Sequence, residues 1–202
     1  SLDVLNRAIL FWSNRFPTIE GITDCLTIIS NDLDKPTNGE IILMGKKTRS
    51  ISDDKKNIII RNNISIIFQN NNLLSDFTAL ENVAIPLIIR GNSYKLSITK
   101  ATKILTSVKL SHRLSHFPSD LSGGEQQRVA IARSIASDTN IILADEPTGN
   151  LDEKTSEEVF SYFLKLKQKN KTILIATHNR DIAKRADYTL RLSNGNIKRF
   201  NV

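Results

Sequence analysis

An acidic pair, Asp145-Glu146, stands directly after the apolar run Ile141-Ile-Leu-Ala144. Such a run indicates a buried strand, and open α/β sheets place their ligand sites at the carboxyl ends of parallel strands. There an aspartate can hold Mg²⁺ through water, while the neighbouring glutamate can polarise the water that attacks a terminal phosphate. The pair alone leaves another interpretation open, an acidic pair that ends a strand at a solvated turn.

A second candidate phosphate site is the segment Ser122-Gly-Gly124. Ser122 can cap a helix, and two glycines allow a phosphate to approach free backbone N–H groups at the positive end of the helix dipole. An ordinary capped helix start would have the same three residues, so this segment gains weight only from its neighbours.

Gln69 and His178 each follow a run that reads as a strand, Ile64–Phe68 and Thr172–Thr177 respectively. His178 would therefore lie at the sheet edge that carries Glu146, and Gln69 would stand where its strand runs into a polar loop. A single glutamine or histidine in such a place is usually structural or simply exposed, so neither position identifies a site by itself.

The elements that must position these residues alternate between helix and strand. The sequence predicts a helix from Gly123 to Ile135, the strand Ile141–Ala144, a helix from about Glu153 to Gln168 and the strand Thr172–Ala176. This alternation predicts the α/β class, with a mainly parallel sheet and helices on both faces.

The remaining segments supply a helical insertion and a small antiparallel part. Thr78 is the predicted N-cap of one helix with Glu81 as its capping-box partner, and Ser97 is the predicted cap of a second helix. Residues 70–120 are thus expected to be all-helical. A short strand is expected within 39–45, and Asn194-Gly195 between two apolar stretches is a good hairpin turn.

Composition sets broad limits. The chain has 202 residues, enough for one well-buried α/β domain, and its longest apolar runs are far too short to span a bilayer. A single cysteine, Cys25, fits a reducing compartment. The net charge of +7 suggests a nucleic-acid or anionic-membrane partner in principle, but the sequence has no lysine-rich block, so scattered solvated charges are the better interpretation.

Read together, the motifs resemble those of ATP-binding-cassette (ABC) ATPases. Leu121-Ser-Gly-Gly-Glu-Gln-Gln-Arg128 resembles the signature motif, and Asp145-Glu-Pro-Thr-Gly-Asn-Leu-Asp152 resembles the end of the Walker B strand and the D-loop. The segments 33–39 and 73–87 look like the lipoprotein-releasing ATPases of the LolD type. MacB-type export ATPases are close neighbours, and the cell-division protein FtsE is somewhat further away.

The resemblance implies a single ABC domain with a P-loop-NTPase-like core of about residues 1–69 and 121–202, and a helical subdomain of about 70–120. It implies these roles: Glu146 as catalytic base, His178 as γ-phosphate switch, Asp145 and Gln69 around Mg²⁺, and Ser122, Gly123, Gly124, Gln69 and Asp152 in nucleotide binding. The implied assembly is a head-to-tail homodimer on a LolC/LolE-type permease pair, at the cytoplasmic face of the inner membrane, which uses ATP to release lipoproteins and involves no nucleic acid.

The chain departs from the family at the phosphate loop. Family members carry Gly-x-x-x-x-Gly-Lys-Ser/Thr, whereas residues 7–31 hold one glycine, Gly21, and no lysine. That loop supplies backbone N–H groups and a lysine to the phosphates, so we expect weak ATP binding and little hydrolysis by this chain alone. Either the segment is a scrambled version of an ordinary family sequence, through sequence error or gene decay, or the chain is a specialised subunit that lends its signature motif to a partner's nucleotide. A nucleotide-incompetent subunit that only docks on the permease is the alternative function.

Overall fold

The computed structural model of the chain describes residues 8–12, 42–44, 46–167, 171–193 and 196–201. The strands in these ranges are β1 Ala8–Trp12, β2 Ile42–Leu43, β3 Lys46–Lys47, β4 Ile64–Ile67, β5 Ile141–Asp145, β6 Thr172–Thr177, β7 Tyr188–Ser193 and β8 Asn196–Asn201. The α-helices are α1 Asp53–Asn63, α2 Ala79–Ile89, α3 Tyr94–Ser107, α4 Gly123–Ala136, α5 Glu153–Lys167 and α6 Arg180–Ala183.

The main sheet has six strands in the spatial order β4-β5-β6-β1-β7-β8. β4, β5 and β6 run parallel, with Ile67 opposite Ala144 and Asp145 opposite Ala176. This register brings the carboxyl ends of β5 and β6 to one edge, because the paired residues lie at, or one residue before, the end of each strand. The predicted α/β class with a parallel sheet is confirmed.

β1 runs in the opposite direction to its neighbour β6. Ala8 is paired with Thr177 and Trp12 with Ile173, so the carboxyl end of β1 lies beside the start of β6. A segment that leaves β1 therefore starts at the far edge of the sheet from Asp145 and Thr177. β1 is therefore not the parallel strand that would lead into a phosphate loop at the Asp145 edge.

The hydrophobic core lies between the sheet and the helices α4 and α5. Ile142 and Ile173 from the strands and Ile131, Phe160 and Phe163 from the helices are each no more than 1% exposed. Burying a side chain of this size contributes about 1.5–3 kcal/mol, so this layer fixes the strands that end at Asp145 and Thr177.

Between Gln69 and Leu121, the described chain forms the helices α2 and α3 and a short 3₁₀ turn, Pro118–Asp120, and no strand. The predicted capping box of α2 is present, because the Thr78 side chain accepts from Glu81 N and the Glu81 carboxylate accepts from Thr78 N. The assignment of this segment to a separate helical subdomain stays a prediction.

The predicted cap at Ser97 is wrong. α3 begins one turn earlier, and its N-cap is Ser93, whose side chain accepts from Leu96 N. Ser97 is fully buried inside the helix and donates to the Ser93 carbonyl. Both serines can cap a helix, and the turn that the chain makes at Gly91, which has a φ of 86°, places Ser93 at the helix start.

Two other differences from the expected elements are small. The short strand expected within 39–45 is the first half of a β2-β3 hairpin, and α1 was not foreseen because its residues carry only a weak apolar face. The Asn194-Gly195 turn lies outside the described residues, although β7 and β8 on either side are paired antiparallel. In the described ranges, no helix has both the length and the apolar character needed to cross a membrane.

Candidate active site

Glu146 is the first residue after β5 and has a left-handed backbone with a φ of 42°. Its N–H donates to the carbonyl of Ala176, which fixes the turn against the end of β6. Positive φ is unfavourable for residues other than glycine, and such strain persists where the surrounding structure over-determines it. The turn is also tight at Gly149, where an added Cβ would lie 3.4 Å from the Glu146 Cβ.

The Glu146 carboxylate is held by two neighbouring residues at the end of β6. Thr177 Oγ1 donates to Oε2 at 2.9 Å, and the His178 backbone N–H donates to Oε1 at 2.9 Å. The His178 ring nitrogen Nδ1 lies 2.7 Å from the same Oε1. The expectation that Glu146 and His178 share a sheet edge is thus realised as a direct contact.

The two side chains of this pair differ in their exposure to solvent. The Glu146 side chain is only 2% exposed, while the His178 side chain is 74% exposed. An ionised carboxylate can only accept hydrogen bonds, so beside an ionised Glu146 the proton of this contact lies on Nδ1 of His178, and Nε2 is left to meet another group. The arrangement suits a sheltered base beside a group that can touch an incoming phosphate.

Two clefts meet at Glu146. One, of about 250 Å³, is lined by Gln69, Gly123 and Glu146 among others. The second, of about 390 Å³, lies on the His178 side and also borders Thr148. The fold therefore brings Gln69, the start of α4 and the end of β5 to one place, although they are far apart in the chain.

The start of α4 is an exposed, capped helix terminus. The Ser122 side chain accepts from Glu125 N, and the Glu125 carboxylate accepts from Ser122 N. Arg113 also donates from Nε to the Glu125 carboxylate at 2.9 Å. Burial by itself would raise the pKa of Glu125, but the hydrogen bonds from Ser122 and Arg113 outweigh it and lower the pKa below its ordinary value.

The two glycines of this terminus have different constraints. A Cβ added at Gly124 would lie 2.5 Å from Thr155 Cγ2, so Gly124 is required for the close packing of α4 on α5. A Cβ added at Gly123 would meet only Leu151 Cδ2 at 3.9 Å, an ordinary contact. Packing does not explain Gly123, which leaves it available for the close approach of a ligand.

Asp152 and Asp145 lie at the ends of neighbouring elements. Asp152 precedes α5 and accepts from Thr155 N at 3.0 Å, and hydrogen bonds from Thr155 lower the Asp152 pKa. Asp145 is half-buried at the end of β5 and is not among the residues that line either cleft, whereas Gln69 lines the first one. Both predicted magnesium ligands have suitable oxygen donors, and Gln69 lines the first of these two clefts.

Sequence reasoning missed Thr177 as a partner of Glu146 and Arg133 as a partner of the loop after Gln69. Arg133 donates to the carbonyls of Asn71 and Asn72, more than sixty positions earlier. Thr177 stands next to His178 at a strand end, which was a usable signal. Arg133 had none, because its contacts depend on how α4 lies beside the loop. The sequence departs from the family's phosphate loop mainly within residues 13–31, which lie outside the described residues.

Comparison with known proteins places these features in context. The family model described as ABC transporter matches residues 21–149 of the chain. The lipoprotein-releasing system ATP-binding protein LolD of Rickettsia typhi is 50% identical over 168 residues, which are 83% of this chain and 74% of the relative. LolD of Nitrobacter hamburgensis is 44% identical over 170 residues, 84% of this chain and 73% of the relative.

A solved structure of an ATP-binding cassette has a similar fold. The ATP-binding cassette MJ0796, a dimer in a post-hydrolysis state bound to ADP and Pi, superposes with a TM-score of 0.79 at 38% identity. The match covers 92% of this chain and 82% of the solved chain. The expectation of an ABC ATPase core is confirmed by this match.

Proposed function

The chain belongs to the ABC transporter family as an ATP-binding cassette of the LolD type, and on this premise we propose that it is the ATP-hydrolysing subunit of a system that releases lipoproteins from the bacterial inner membrane toward the outer membrane. The relatives in Rickettsia typhi and Nitrobacter hamburgensis carry the name of such a system. The observation that carries the proposal is the contact between the buried Glu146 carboxylate and Nδ1 of His178 at the end of two parallel strands.

In this proposal Glu146 is the general base. Its carboxylate is buried and oriented by Thr177 and His178, so it needs little reorganisation to accept a proton from an attacking water. His178 contacts the γ-phosphate through the ring nitrogen that Glu146 does not use. Movement of His178 toward the phosphate would release one hydrogen bond of the carboxylate, which ties the base to the presence of nucleotide.

The remaining roles follow from the positions of the side chains. Asp145 and Gln69 would hold Mg²⁺, and the bound ion would neutralise charge on the phosphate oxygens. Ser122, Gly123 and Gly124 would offer the N-terminus of α4 to a phosphate, with Asp152 at the neighbouring turn. Ser122 and Gly123 are exposed, which supports a contact with a nucleotide held by a second subunit.

Partners are proposed from the relatives. We expect two ATPase subunits in a head-to-tail dimer, since the structurally similar cassette was solved as a dimer. We expect this pair to dock on an integral membrane permease pair of the LolC/LolE type, at the cytoplasmic face of the inner membrane, where it would contact lipoprotein cargo only indirectly.

The phosphate loop is the weak point of this enzyme. The chain has no Gly-x-x-x-x-Gly-Lys-Ser/Thr sequence, and β1, which is antiparallel to β6, ends away from the Glu146 edge. Phosphoryl transfer depends almost entirely on positioning and charge neutralisation, so we propose that the chain alone binds Mg-ATP weakly.

The deciding measurement is Mg-ATP binding by the purified chain, measured by titration calorimetry. The Glu146→Gln variant is used so that turnover does not interfere. A micromolar to millimolar dissociation constant would mean that this chain holds phosphates without the usual loop, and the enzyme proposal would stand unchanged. No heat of binding would favour a subunit that cannot work alone.

For that second outcome, the candidate function is donation of the signature motif to a nucleotide held by another cassette. The test mixes this chain with a LolD-type cassette that carries the phosphate loop but whose own signature serine is replaced by arginine. We expect hydrolysis to appear in the mixture and to disappear when this chain carries Ser122→Arg. A mixture no more active than its separate components would leave only a docking role.

A further inference from the structure

The loop that follows Gln69 has an unusual backbone. Asn71 and Asn72 are both left-handed, with φ angles of 59° and 43°. Asparagine tolerates this conformation better than most residues, but two in succession are unfavourable without outside support. Two backbone hydrogen bonds, Asn71 N to Phe68 O and Asn72 N to Asn70 O, close the turn locally.

The outside support comes from α4. Arg133 donates from one terminal nitrogen to the Asn72 carbonyl at 2.7 Å and from the other to the Asn71 carbonyl at 2.8 Å. The left-handed turn presents two successive carbonyls to one side, and the planar guanidinium fork matches that spacing. Burial lowers the pKa of Arg133 from its ordinary value, but an arginine remains a cation in such a site.

The loop and α4 form two walls of the cleft of about 250 Å³. Each wall carries a buried polar atom, Asn71 Oδ1 and Gln127 Nε2, for which the described residues provide no hydrogen-bond partner. One is an acceptor and the other a donor, and leaving them unpaired is costly. Their presence indicates that a ligand, a water or a small movement of the walls completes this cleft.

We propose that Arg133 is a positioning residue that fixes the loop of Gln69 to the signature helix α4, so that these two walls of the cleft move as one unit against the turn at Glu146. The guanidinium sets where Gln69 stands relative to Gly123. The consequence for nucleotide chemistry rests on the proposed function. The clamp, meaning the two hydrogen bonds from Arg133 to the Asn71 and Asn72 carbonyls, does not.

The test is hydrogen–deuterium exchange of the full chain without nucleotide, resolved at residues 68–73, for the parent, Arg133→Met and Arg133→Lys. Arg133→Met keeps the length of the side chain and removes both hydrogen bonds. We expect the amides of Asn71 and Asn72 to exchange about tenfold faster or more, since each hydrogen bond to a charged group is worth at least a tenfold change in an opening equilibrium. Arg133→Lys, which can reach one carbonyl, should restore part of the protection.

The matched control is Arg128→Met on the same helix. Arg128 pairs with Glu158 of α5 instead of the loop, so its loss should leave residues 68–73 unchanged. Equal exchange in parent and Arg133→Met would overturn the proposal. If Arg133→Met does not fold, Arg133→Lys decides: selective deprotection of 68–73 supports the clamp, and uniform or absent deprotection overturns it. Because no nucleotide is present, a chain that fails to bind Mg-ATP can still pass this test.

Discussion

The hydroxyl of Thr177 donates a 2.9 Å hydrogen bond to Oε2 of Glu146. The same hydroxyl oxygen accepts from Asn179 N at 3.1 Å, so it joins the turn after β6 to the turn after β5. Thr177 and Glu146 are both buried. A buried carboxylate depends on such donors, and Thr177 therefore belongs to the support of the candidate base.

Thr177→Val should destabilise the protein by about 1–3 kcal/mol, because valine fills the same space but leaves Oε2 of Glu146 without that donor. The measurement is the unfolding midpoint in urea, with the slope checked for constancy. Thr177→Ser keeps the hydroxyl and should lose clearly less. Equal losses in the two variants would show that the methyl group, and not the hydrogen bond, matters.

Gly124→Ala should destabilise the protein by about 1–3 kcal/mol through overpacking, since the new Cβ would lie 2.5 Å from Thr155 Cγ2. Thermal unfolding followed by circular dichroism measures the loss. Threonine is branched at Cβ and has little freedom to turn away, so the strain should fall on the α4–α5 contact.

Two companion variants make that result specific. Gly123→Ala adds the same methyl group where only Leu151 is near, at 3.9 Å, and should keep the parent's stability. Thr155→Ser removes the clashing methyl group and should restore most of the stability of Gly124→Ala in the double variant. A double variant as unstable as Gly124→Ala alone would contradict the packing explanation.

Glu125→Gln should lower the unfolding free energy by about 1 kcal/mol at neutral pH, because it weakens the bonds from Ser122 and Arg113. The folded-state pKa of Glu125 lies below its ordinary value of 4.5. The stabilisation is therefore complete above about pH 4.5 and is lost as pH falls through the lower folded-state pKa. The difference between the parent and Glu125→Gln should shrink in that acidic range.

The control for this pH dependence is Glu81→Gln, which changes the corresponding position of the α2 capping box. The Glu81 carboxylate is bonded to Thr78, without the arginine that Glu125 has. Denaturant unfolding from pH 7 down to about pH 3 should show a smaller neutral-pH loss for Glu81→Gln. A Glu125→Gln difference that stays constant over this range would contradict the assigned charge interactions.

Hydrolysis of Mg-ATP by the purified chain should be about 100-fold or more below that of a LolD-type cassette with an ordinary phosphate loop under the same conditions. The estimate reflects the loss of preorganised donors around the phosphates, of which one alone is commonly worth this factor. Phosphate release is the measurement, with Glu146→Gln as the blank. Comparable rates for the two proteins would refute the proposed defect.

Some of the site could be derived from the chain without its structure. A strand that ends in Asp145-Glu146 and a helix that begins at Ser122 with Glu125 three residues later are local patterns, so their elements and the capping box were predictable. The error at Ser97 is equally local: Ser93 and Ser97 both favour a helix start, and local preference did not choose between them.

The amino-acid sequence by itself determined the α/β class and the family, and it predicted which residues make up the candidate site, because these depend on residue types at fixed short spacings. Only the tertiary structure decided that Thr177 and His178 hold the Glu146 carboxylate, that Arg133 grips the Asn71 and Asn72 carbonyls, and that Gly124 must stay small against Thr155. The physical reason is that these contacts join segments up to 62 residues apart. Their geometry follows from strand register and helix packing across the whole core, which no local pattern encodes.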